Sequence, residues 1–486
     1  MQTIVSSTVN ELRTESRSPL PRPVAMGAAS RFTGKRVHFT GIGGCGMSGL
    51  ARILLDAGAL VSGSDTKFNA QTIELTRRGA TISRDQLGEL LSSKVDLVVR
   101  TAAIPDTNHE FLAAKALGIP TIKYAQLLGQ VMQERLGVAV AGTHGKSTTT
   151  AMISYALLTC GADPSFVIGG SVKQLDGGSR SGSGRAFVVE ACEYDRSFHN
   201  LHPRIAVITN IESEHLDYYK DIDQIMAAFR QFAQLVPDDG LILANGKDSH
   251  VLSALAGLAT PTELAALAPG FVWSTRITGI EKGCYRGQVS YKGRPAAELR
   301  MSVPGEHNLA NATLALATCC ACGIEAAKAA AAIGDFLGVD RRLSEIGRCN
   351  GAIVVDDYGH HPTEIRSTLK AAREKYNPRR LFCVFQPHQH SRTRCLLGDF
   401  AVSFEQATQT IVPDIYFVRD SEAERQLVSS RDLVACIQRN GQCAVHLPEF
   451  SAIVDYVRHN AREGDLILTM GAGNVWEIAR DLVEDT

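Results

Sequence analysis

Short apolar runs, each followed by polar residues, recur along this chain of 486 residues. Stretches of helical length and composition separate many of these runs. An apolar run of four or five residues between such stretches predicts a strand buried in a parallel sheet, with a helix in the connection to the next strand. The strands predicted in this way are 36–40, 61–65, 97–100, 138–141, 186–189, 205–208, 352–355, 381–385 and 466–470.

The repetition of strand, polar edge and helix predicts an α/β fold with doubly wound sheets, and the chain length predicts about three domains. We expect a Rossmann-like domain at 34–133, a central P-loop ATPase-like domain with a parallel sheet at 134–339, and a second Rossmann-like α/β domain at 340–486. Residues 1–33 are rich in Ser, Thr, Arg and Pro and lack the apolar core of a signal peptide. They are predicted to form a disordered extension.

The bulk composition excludes several classes of protein. Hydrophobic residues make up 44% and charged residues 21%, as in an ordinary soluble globular protein. Lys plus Arg number 50 against 51 for Asp plus Glu, so no basic excess favours nucleic-acid binding. No apolar run approaches the roughly 18 residues of a membrane span. The 12 cysteines are scattered, and the group at 319–322 lies in an alanine-rich helical run, which predicts buried, reduced thiols in a cytoplasmic enzyme.

A glycine-rich turn, 41–48, follows the first predicted strand and leads into a helix. Glycines at this place allow a tight turn and aim a helix N-terminus at a pyrophosphate. Asp65, at the end of the second strand, would then meet a ribose. Taken alone, the motif favours a nicotinamide-dependent oxidoreductase, and a tight turn without a ligand is the alternative.

A second glycine motif, 142–147, follows the strand at 138–141. Gly142 and Gly145 let backbone N–H groups approach a polyphosphate, Lys146 can reach its β and γ oxygens, and Ser147 can hold Mg²⁺. The usual P-loop has a glycine where Val140 stands. The shorter loop favours ATP-dependent amide-forming ligases over motor and switch NTPases, and the alternative is a plain glycine-rich turn.

Polar residues after the neighbouring strands add to this site. Glu190 follows its strand directly, where a carboxylate beside a P-loop is expected to bind Mg²⁺. His215 follows the next strand and is expected to face metal or phosphate. Asn308 and Asn311 are three residues apart and share a helix face. They could hydrogen-bond a nucleotide, and N-terminal capping is the alternative for Asn308.

Histidines and arginines gather after two strands of the third segment. No cysteine or carboxylate spacing completes a zinc site with these histidines, and Arg392 and Arg394 would repel a cation. Binding of an anionic substrate fits better. The histidines are His360, His361, His388 and His390.

Together these motifs resemble the Mur ligases of peptidoglycan synthesis, in the family's order and over nearly everything from residue 35 to the end. The first glycine motif and the Gly-His-His-Pro-Thr-Glu block are most similar to the branch that adds L-alanine. The stretches that carry the resemblance are 38–51, 142–150, 190–198, 209–219, 305–311, 355–365, 385–394 and 470–474.

The resemblance implies ATP-dependent joining of L-alanine to the D-lactyl carboxylate of UDP-N-acetylmuramate through an acyl phosphate, with ATP and Mg²⁺ required. It also implies that the first domain holds UDP, not NAD. The implied UDP-substrate site is Gly41, Gly43, Gly44, Gly46, Met47, Ser48 and Asp65. The implied ATP site is Gly142, Thr143, His144, Gly145, Lys146, Ser147, Thr148, Asn308, Asn311, Arg341 and Arg342. The implied amino-acid site is Tyr358, His360, His388 and Arg392.

The resemblance further implies metal ligands and catalytic residues. The metal ligands would be Ser147, Glu190 and His215. The catalytic residues would be Lys146, Glu190, His215, Arg342, Asp356 and Asp357. Whether Arg341 or Arg342, and Asp356 or Asp357, contacts the nucleotide stays open.

Three departures from the family pattern stand out. Cys192 replaces an aspartate, and we expect metal binding to survive because Glu190 is kept. Gln389 stands where some members carry arginine, so the carboxylate of alanine would depend more on Arg392. Residues 221–246 contain no lysine, so the carbamylated lysine of several sister ligases is not expected.

Three other functions are alternatives. A recycling ligase would add a preformed tripeptide to the same UDP-sugar. A nicotinamide-dependent oxidoreductase rests on the first glycine motif alone, and a regulatory ATP-binding protein would lack ligase chemistry. For the ligase we expect a monomer or weak homodimer, with no nucleic-acid or membrane partner. The third domain is expected to close over the second, because water would hydrolyse an acyl phosphate.

Overall fold

The apolar runs form the strands of three sheets in the part of the chain that the computed structural model describes, residues 30–101 and 104–484. All nine predicted strands are confirmed, and their bounds differ from the predicted ones by two residues or fewer. The three-domain α/β architecture is confirmed as well. The domain boundaries stay a prediction.

The first sheet is entirely parallel, in the order β3-β2-β1-β4-β5. The strand order reverses between β1 and β4, so the glycine-rich turn after β1 lies at the switch point where such sheets bind ligands. The strands are β1 (Arg36–Thr40), β2 (Leu60–Ser64), β3 (Thr81–Ser83), β4 (Leu97–Arg100) and β5 (Thr121–Lys123). The helices are α1 (Cys45–Asp56), α2 (Ala70–Arg77), α3 (His109–Ala116) and α4 (Tyr124–Met132).

The central sheet has the order β15-β14-β13-β12-β11-β10-β6-β9-β7-β8. It is parallel except at its two edges, where β13 to β15 and the β7–β8 pair run antiparallel. Its strands are β6 (Leu136–Ala141), β7 (Ser165–Val167), β8 (Ser179–Arg180), β9 (Ala186–Glu190), β10 (Ile205–Ile208), β11 (Leu241–Asn245), β12 (Thr262–Ala266), β13 (Trp273–Glu281), β14 (Cys284–Tyr291) and β15 (Arg294–Pro304). Its helices are α5 (Lys146–Thr159), α6 (Ile222–Ala233), α7 (Ser249–Leu255), α8 (Glu306–Ala321) and α9 (Ala326–Gly334).

The third sheet has the order β16-β17-β21-β18-β19-β20 and is parallel except for β16. Its strands are β16 (Ser344–Cys349), β17 (Ala352–Asp357), β18 (Leu381–Phe385), β19 (Gln409–Val412), β20 (Ala444–His446) and β21 (Leu466–Met470). Its helices are α10 (Pro362–Tyr376), α11 (His390–Cys395), α12 (Leu397–Ala401), α13 (Glu422–Arg425), α14 (Ser430–Arg439), α15 (Phe450–Asn460) and α16 (Trp476–Glu484).

Several predictions about the rest of the chain can be compared with this fold. Of the predicted disordered extension, 1–29 lies outside the described residues, whereas 30–33 forms a turn whose Phe32 is buried. All 12 cysteines lie in the described part of the chain and are free thiols. Cys319 is buried, while Cys320 and Cys322 are half-buried. No helix among the described residues is long and apolar enough to cross a membrane.

Candidate active site

Two glycines bend the loop between β6 and α5. Gly142 has a φ of 146° and Gly145 a φ of 79°, both in the region that favours glycine. A Cβ on Gly142 would collide with the hydroxyl of Thr209, and one on Gly145 would lie 2.7 Å from Asn311 Oδ1. Glycine therefore allows the close turn that leads into the N-terminus of α5, which is suited to an anion such as phosphate.

Lys146, the first residue of α5, is folded back onto this loop. Its Nζ donates to the carbonyl oxygens of Gly142 and Thr143 and lies 3.0 Å from Glu193 Oε1. Burial alone would lower the pKa of Lys146, but the carboxylate of Glu193 raises it above its ordinary value. The lysine therefore carries its charge inside the loop, next to the predicted phosphate position.

The predicted metal ligands lie beside this lysine. Glu190 ends β9 and accepts a hydrogen bond of 2.6 Å from the backbone N–H of Gly169, and Ser147 also hydrogen-bonds it. His215 Nε2 lies 3.5 Å from Oε1 of Glu193. Within the described chain, the buried Oε2 of Glu193 and Nδ1 of His215 have no hydrogen-bond partner. Unpaired carboxylate and imidazole atoms on neighbouring side chains are of the type that binds a divalent cation.

Beside the loop opens a cavity of about 390 Å³ between the central and third sheets. Its volume is in the range of small-molecule sites. Predicted nucleotide residues that line it are His144, Gly145, Thr148, Asn308, Asn311, Arg342 and Asp357.

Asn308 and Asn311 lie inside α8, whose first residue is Glu306. Asn308 Nδ2 donates to the carbonyl oxygen of Pro304 at 2.7 Å. Its side chain makes no capping hydrogen bond to the N–H groups at the start of the helix. The alternative that Asn308 is an N-cap is therefore wrong, because Gly305 occupies that position. Both asparagines remain available on the cavity wall.

The third domain contributes one arginine and one aspartate of each predicted pair to this wall. Arg342 and Asp357 line the cavity. Arg341 is held elsewhere, since its Nε lies 2.9 Å from Asp356 Oδ2 and its Nη2 donates to the Gly471 carbonyl. Burial raises the pKa of Asp357 to about 6. Arg342 and Asp357 are therefore the members of each pair that line the cavity, and their contact with a nucleotide stays a prediction.

The glycine-rich turn after β1 is held by two polar side chains of the first domain. The backbone N–H of Gly43 donates to Asp65 Oδ2 at 2.8 Å, and Asn69 Nδ2 donates to the Gly43 carbonyl at 3.0 Å. The second oxygen of Asp65 accepts from the N–H of Lys67. Asp65 thus orders the turn in this structure, and its contact with a ribose stays a prediction.

The other predicted UDP-binding residues differ in exposure. Gly44 is exposed, and Gly46 lies close enough to Tyr124 that a Cβ would come within 2.7 Å of its hydroxyl. Met47 is part of the buried core, and the Ser48 hydroxyl donates to the Cys45 carbonyl. Met47 and Ser48 therefore support the turn from behind, which favours the glycine backbone as the surface for a ligand.

Arg392 of the predicted amino-acid site is already engaged by a carboxylate of the central domain. Its Nε and Nη2 donate to Glu214 Oε1 at 2.8 and 2.5 Å, and Nη1 donates to the His388 carbonyl at 2.8 Å. Both charged side chains are buried. Burial alone would raise the pKa of Glu214, but Arg392 holds it well below its ordinary value. The pair therefore fixes the guanidinium across the contact between the two domains.

Aromatic and imidazole rings surround this arginine. The rings of His360 and His388 have centroids 6.3 Å apart, and Tyr358 packs edge-on against His360. Burial lowers the pKa of His360 to about 4 and, with Arg392, that of His388 to about 3, so both are neutral at pH 7. Gln389 is buried, and its Nε2 has no partner within the described chain.

Sequence reasoning did not assign Glu193, Glu214 or Asn69 to the site. Glu193 and Glu214 lie in the polar runs after β9 and β10, and both were available as carboxylates beside a predicted ligand. Their partners, Lys146 and Arg392, could not be inferred because each pairing depends on how loops from different strands meet. Cys192, which stands where the family usually has an aspartate, has an exposed thiol and directly precedes Glu193 in the chain.

Three family models match: "Mur ligase family, catalytic domain" at 36–136, "Mur ligase middle domain" at 140–319 and "Mur ligase, glutamate ligase domain" at 341–473. A UDP-N-acetylmuramate–L-alanine ligase from Caldanaerobacter subterraneus is 45% identical over 454 residues, which is 93% of this chain and 98% of the relative.

The chain belongs to the Mur ligase family. Two solved structures of Mur ligases are similar over most of its length. A UDP-N-acetylmuramate–alanine ligase from Thermotoga maritima has a TM-score of 0.76 at 25% identity, covering 93% of this chain and 98% of that one. A murein peptide ligase from Psychrobacter arcticus has a TM-score of 0.69 at 27% identity, covering 92% and 98%. The resemblance found in the sequence is thus confirmed at the level of the family.

Proposed function

We propose that this Mur ligase joins L-alanine to the D-lactyl carboxylate of UDP-N-acetylmuramate, with ATP converted to ADP and phosphate. The observation that carries the proposal is the relative from Caldanaerobacter, which bears that name and aligns over 93% of this chain. The proposal includes a division of the chain into 34–133 for UDP-muramate, 134–339 for ATP and 340–486 for the amino acid, and the three family models, at 36–136, 140–319 and 341–473, support it.

The reaction must first make a poor electrophile reactive. A carboxylate is not attacked by an amine at neutral pH, so its oxygen attacks the γ-phosphorus of ATP and gives an acyl phosphate, which the amine of L-alanine then attacks. Both steps concentrate negative charge. Lys146, held charged on its loop by Glu193, and the N–H groups of the loop would stabilise that charge.

A divalent cation is part of the proposal because of the residues beside the loop. Ser147, Glu190 and His215 would hold Mg²⁺, which when bound would neutralise phosphate charge. The unpartnered carboxylate oxygen of Glu193, which lies beside His215, is a further oxygen ligand available to the cation. Glu193 also keeps Lys146 from leaving the loop, so it would both orient the lysine and balance the charge of the cation.

Arg342 and Asp357 would meet the nucleotide from the third domain, together with Asn308 and Asn311 from α8. Arg342 lies 3.3 Å from Glu364, which orients its guanidinium over the cavity. Since these groups come from two domains, the nucleotide site is complete only when the third domain lies against the central one.

The amino acid would bind among Tyr358, His360, His388 and Arg392. Arg392 would attract the carboxylate of L-alanine, and the neutral rings of His360 and His388 offer hydrogen bonds without adding charge. His360 in this neutral form could also accept a proton from the amine. Holding the amine close to the acyl phosphate would supply the remaining rate enhancement.

The test is phosphate release from ATP with Mg²⁺ and UDP-N-acetylmuramate, comparing L-alanine, glycine, L-serine and the tripeptide as acceptors. Release that requires both the UDP-sugar and L-alanine is expected. Release with the tripeptide alone would establish the recycling ligase, which the likeness to the murein peptide ligase keeps as the second candidate. Glycine should be used less well than L-alanine but not excluded, because the missing methyl group is worth only about 1–3 kcal/mol.

Two further properties belong to this proposal. A cytoplasmic location is proposed because the substrates are nucleotides and the 12 thiols are free. A monomer or weak homodimer is proposed because the three sites lie within one chain. Sedimentation of the purified enzyme at several concentrations would measure the second property.

A further inference from the structure

Three side chains to which the proposed reaction steps give no role converge where the central and third domains meet, and two of them, His144 and Glu212, line the edge of the nucleotide cavity. They are His144 of the phosphate loop, Glu212 after β10 and His361 before α10. One donor atom of each lies within 4.8 Å of the other two. His144 Nε2 is 3.7 Å, and His361 Nδ1 is 3.6 Å, from the same oxygen of Glu212, Oε2.

The other nitrogen of each histidine faces an oxygen acceptor. His144 Nδ1 lies 3.4 Å from Glu364 Oε1, and His361 Nε2 lies 3.2 Å from the backbone carbonyl oxygen of Ser213. When both rings are neutral, an N–H on these two nitrogens leaves a lone pair on His144 Nε2 and on His361 Nδ1 directed at Glu212, and a metal ion that binds there displaces the proton that His144 carries in the metal-free protein. Metal-binding histidines typically have this arrangement, in which a carboxylate or carbonyl fixes the tautomer.

The donor atoms are incompletely satisfied by the protein. Within the described residues, His144 Nε2 is buried and has no hydrogen-bond partner. His361 Nδ1 accepts only a long hydrogen bond, 3.3 Å, from the N–H of Thr363. Glu212 Oε2 accepts from the Thr363 hydroxyl at 2.6 Å and keeps a further lone pair. An unpaired buried nitrogen between two ligand-type side chains is the observation that points to an ion.

The chemistry of the donors selects the class of ion. Two imidazoles and one carboxylate suit zinc and similar transition ions, whereas magnesium prefers oxygen. Ligands about 2.0–2.1 Å from a zinc ion lie about 3.3 Å apart in a tetrahedral site, which is close to the 3.7 and 3.6 Å that separate the two histidine nitrogens from Glu212 Oε2. Arg342 lies 3.3 Å from Glu364, outside the three donors, so its charge disfavours the ion without blocking the site.

We propose that His144, Glu212 and His361 form a zinc-type metal site that joins the central and third domains. Two ligands come from the central domain and one from the third, so a bound ion holds the two in contact. The site shares no residue with the magnesium site proposed at Ser147, Glu190 and His215. It stands on geometry that does not depend on which amino acid the enzyme uses.

The experiment is equilibrium dialysis of the full chain against Zn²⁺ in excess Mg²⁺, with bound zinc measured by elemental analysis. The variants are Glu212→Gln and His361→Gln, and the matched control is His446→Gln, which removes a histidine paired with Asp414. Wild type and the control should bind one zinc per chain, and both test variants at least tenfold more weakly. Thermal unfolding of the metal-free proteins shows that each variant is folded.

Wild type that binds no zinc, or test variants that bind it as well as wild type, would refute the site. A His215→Ala variant locates the ion independently. If that change abolishes zinc binding while His361→Gln retains it, the zinc occupies the magnesium site and the proposal fails. X-ray absorption should show two imidazole ligands in wild type, one in His361→Gln and two in His446→Gln.

Discussion

The central sheet contacts its two neighbouring domains through surfaces of opposite character. Towards the first domain, one continuous apolar core contains Phe39 and Leu50 of that domain together with Ala139 and Phe187 of the central one. Contact is close enough that α4 has glycine, Gly129, where it meets the backbone of the central domain. This surface resembles the interior of a single domain.

Towards the third domain the contact is polar. Arg392 pairs with Glu214, the Thr363 hydroxyl donates to Glu212, and His144 faces Glu364. The apolar clusters on the two faces of the third sheet contain only residues of the third domain in the described chain.

This difference indicates which domain can move. Separating an apolar surface costs about 25 cal/mol for each Å² exposed, whereas separated ion pairs regain hydration and lose much less. The first and central domains should therefore act as one unit, with the third domain opening and closing over the nucleotide cavity. The charged groups proposed for the reaction lie at the contact that can open, which is where substrates must enter.

Glu214→Ala is the change that should most weaken the polar contact between the central and third domains. It leaves the buried guanidinium of Arg392 without its partner, and breaking a buried pair costs about 3–5 kcal/mol. Because Glu214 fixes the position of the guanidinium that is proposed to bind the carboxylate of L-alanine, we expect a strong rise in KM for L-alanine. We also expect faster hydrogen exchange in the third domain. Glu298→Ala, which removes an exposed glutamate paired with Arg300, is the control and should change neither. Unchanged exchange in Glu214→Ala would show that the polar contact does not depend on this pair.

Lys146→Ala should leave the fold intact and abolish measurable turnover. The lysine is folded onto the loop that is predicted to bind the phosphates, and a single electrostatic group of this kind is worth about 3–4 kcal/mol in the transition state. Phosphate release measures the loss, and circular dichroism checks the fold, since Glu193 loses a partner but keeps His215. Normal turnover would refute the role of the loop.

Gly129→Ala tests the apolar contact. A Cβ at this position of α4 would collide with the carbonyl oxygen of Asn200, so one backbone must move. Overpacking of this kind costs about 1–3 kcal/mol, to be measured as the free energy of unfolding in urea. Gly279→Ala in β13, where a Cβ meets nothing within 4 Å, is the control. Equal stability of the two variants would show that the first domain is not held rigidly.

How far the sequence predicted the molecule depends on the range of the interactions. The strands and both glycine turns were predictable, because apolar runs and the backbone needs of glycine are local. The antiparallel strands β13 to β15 were missed, although buried Ala297, Leu299, Met301 and Val303 alternate with polar residues along β15. That period-2 pattern is the signal that could have predicted a half-buried strand.

The pairings across the polar contact were beyond the sequence for a different reason. Glu214 and Arg392 are 178 residues apart, and nothing in either motif specifies the other. The choice of Arg342 and Asp357 over their neighbours likewise depends on which side of β17 and its preceding turn faces the cavity. Such contacts are set by how domains pack, and only a three-dimensional structure contains that.

The smallest expected effect is the pH dependence of the polar contact. Burial alone would lower the pKa of His144, but Glu364 and Glu212 raise it to about 9. His360, His361 and Arg342 are the other titratable or charged groups that face these carboxylates. Because the folded pKa exceeds the ordinary value of about 6.5, this stabilisation is complete below pH 6.5 and is lost as the pH rises through 9.

We expect about 1–2 kcal/mol to be lost between pH 7 and pH 10 in metal-free protein, measured as the free energy of unfolding in urea. His144→Asn should flatten this dependence, since it removes the titrating ring, while other groups that titrate above pH 9 act equally in both proteins. If the two proteins lose stability in parallel, the charge of His144 does not hold the domains together. Among the described residues the contact with the first domain has an ion pair, Lys123 with Asp195, but no histidine paired with a carboxylate. Gly129→Ala should therefore shift the wild-type curve downward without changing its shape.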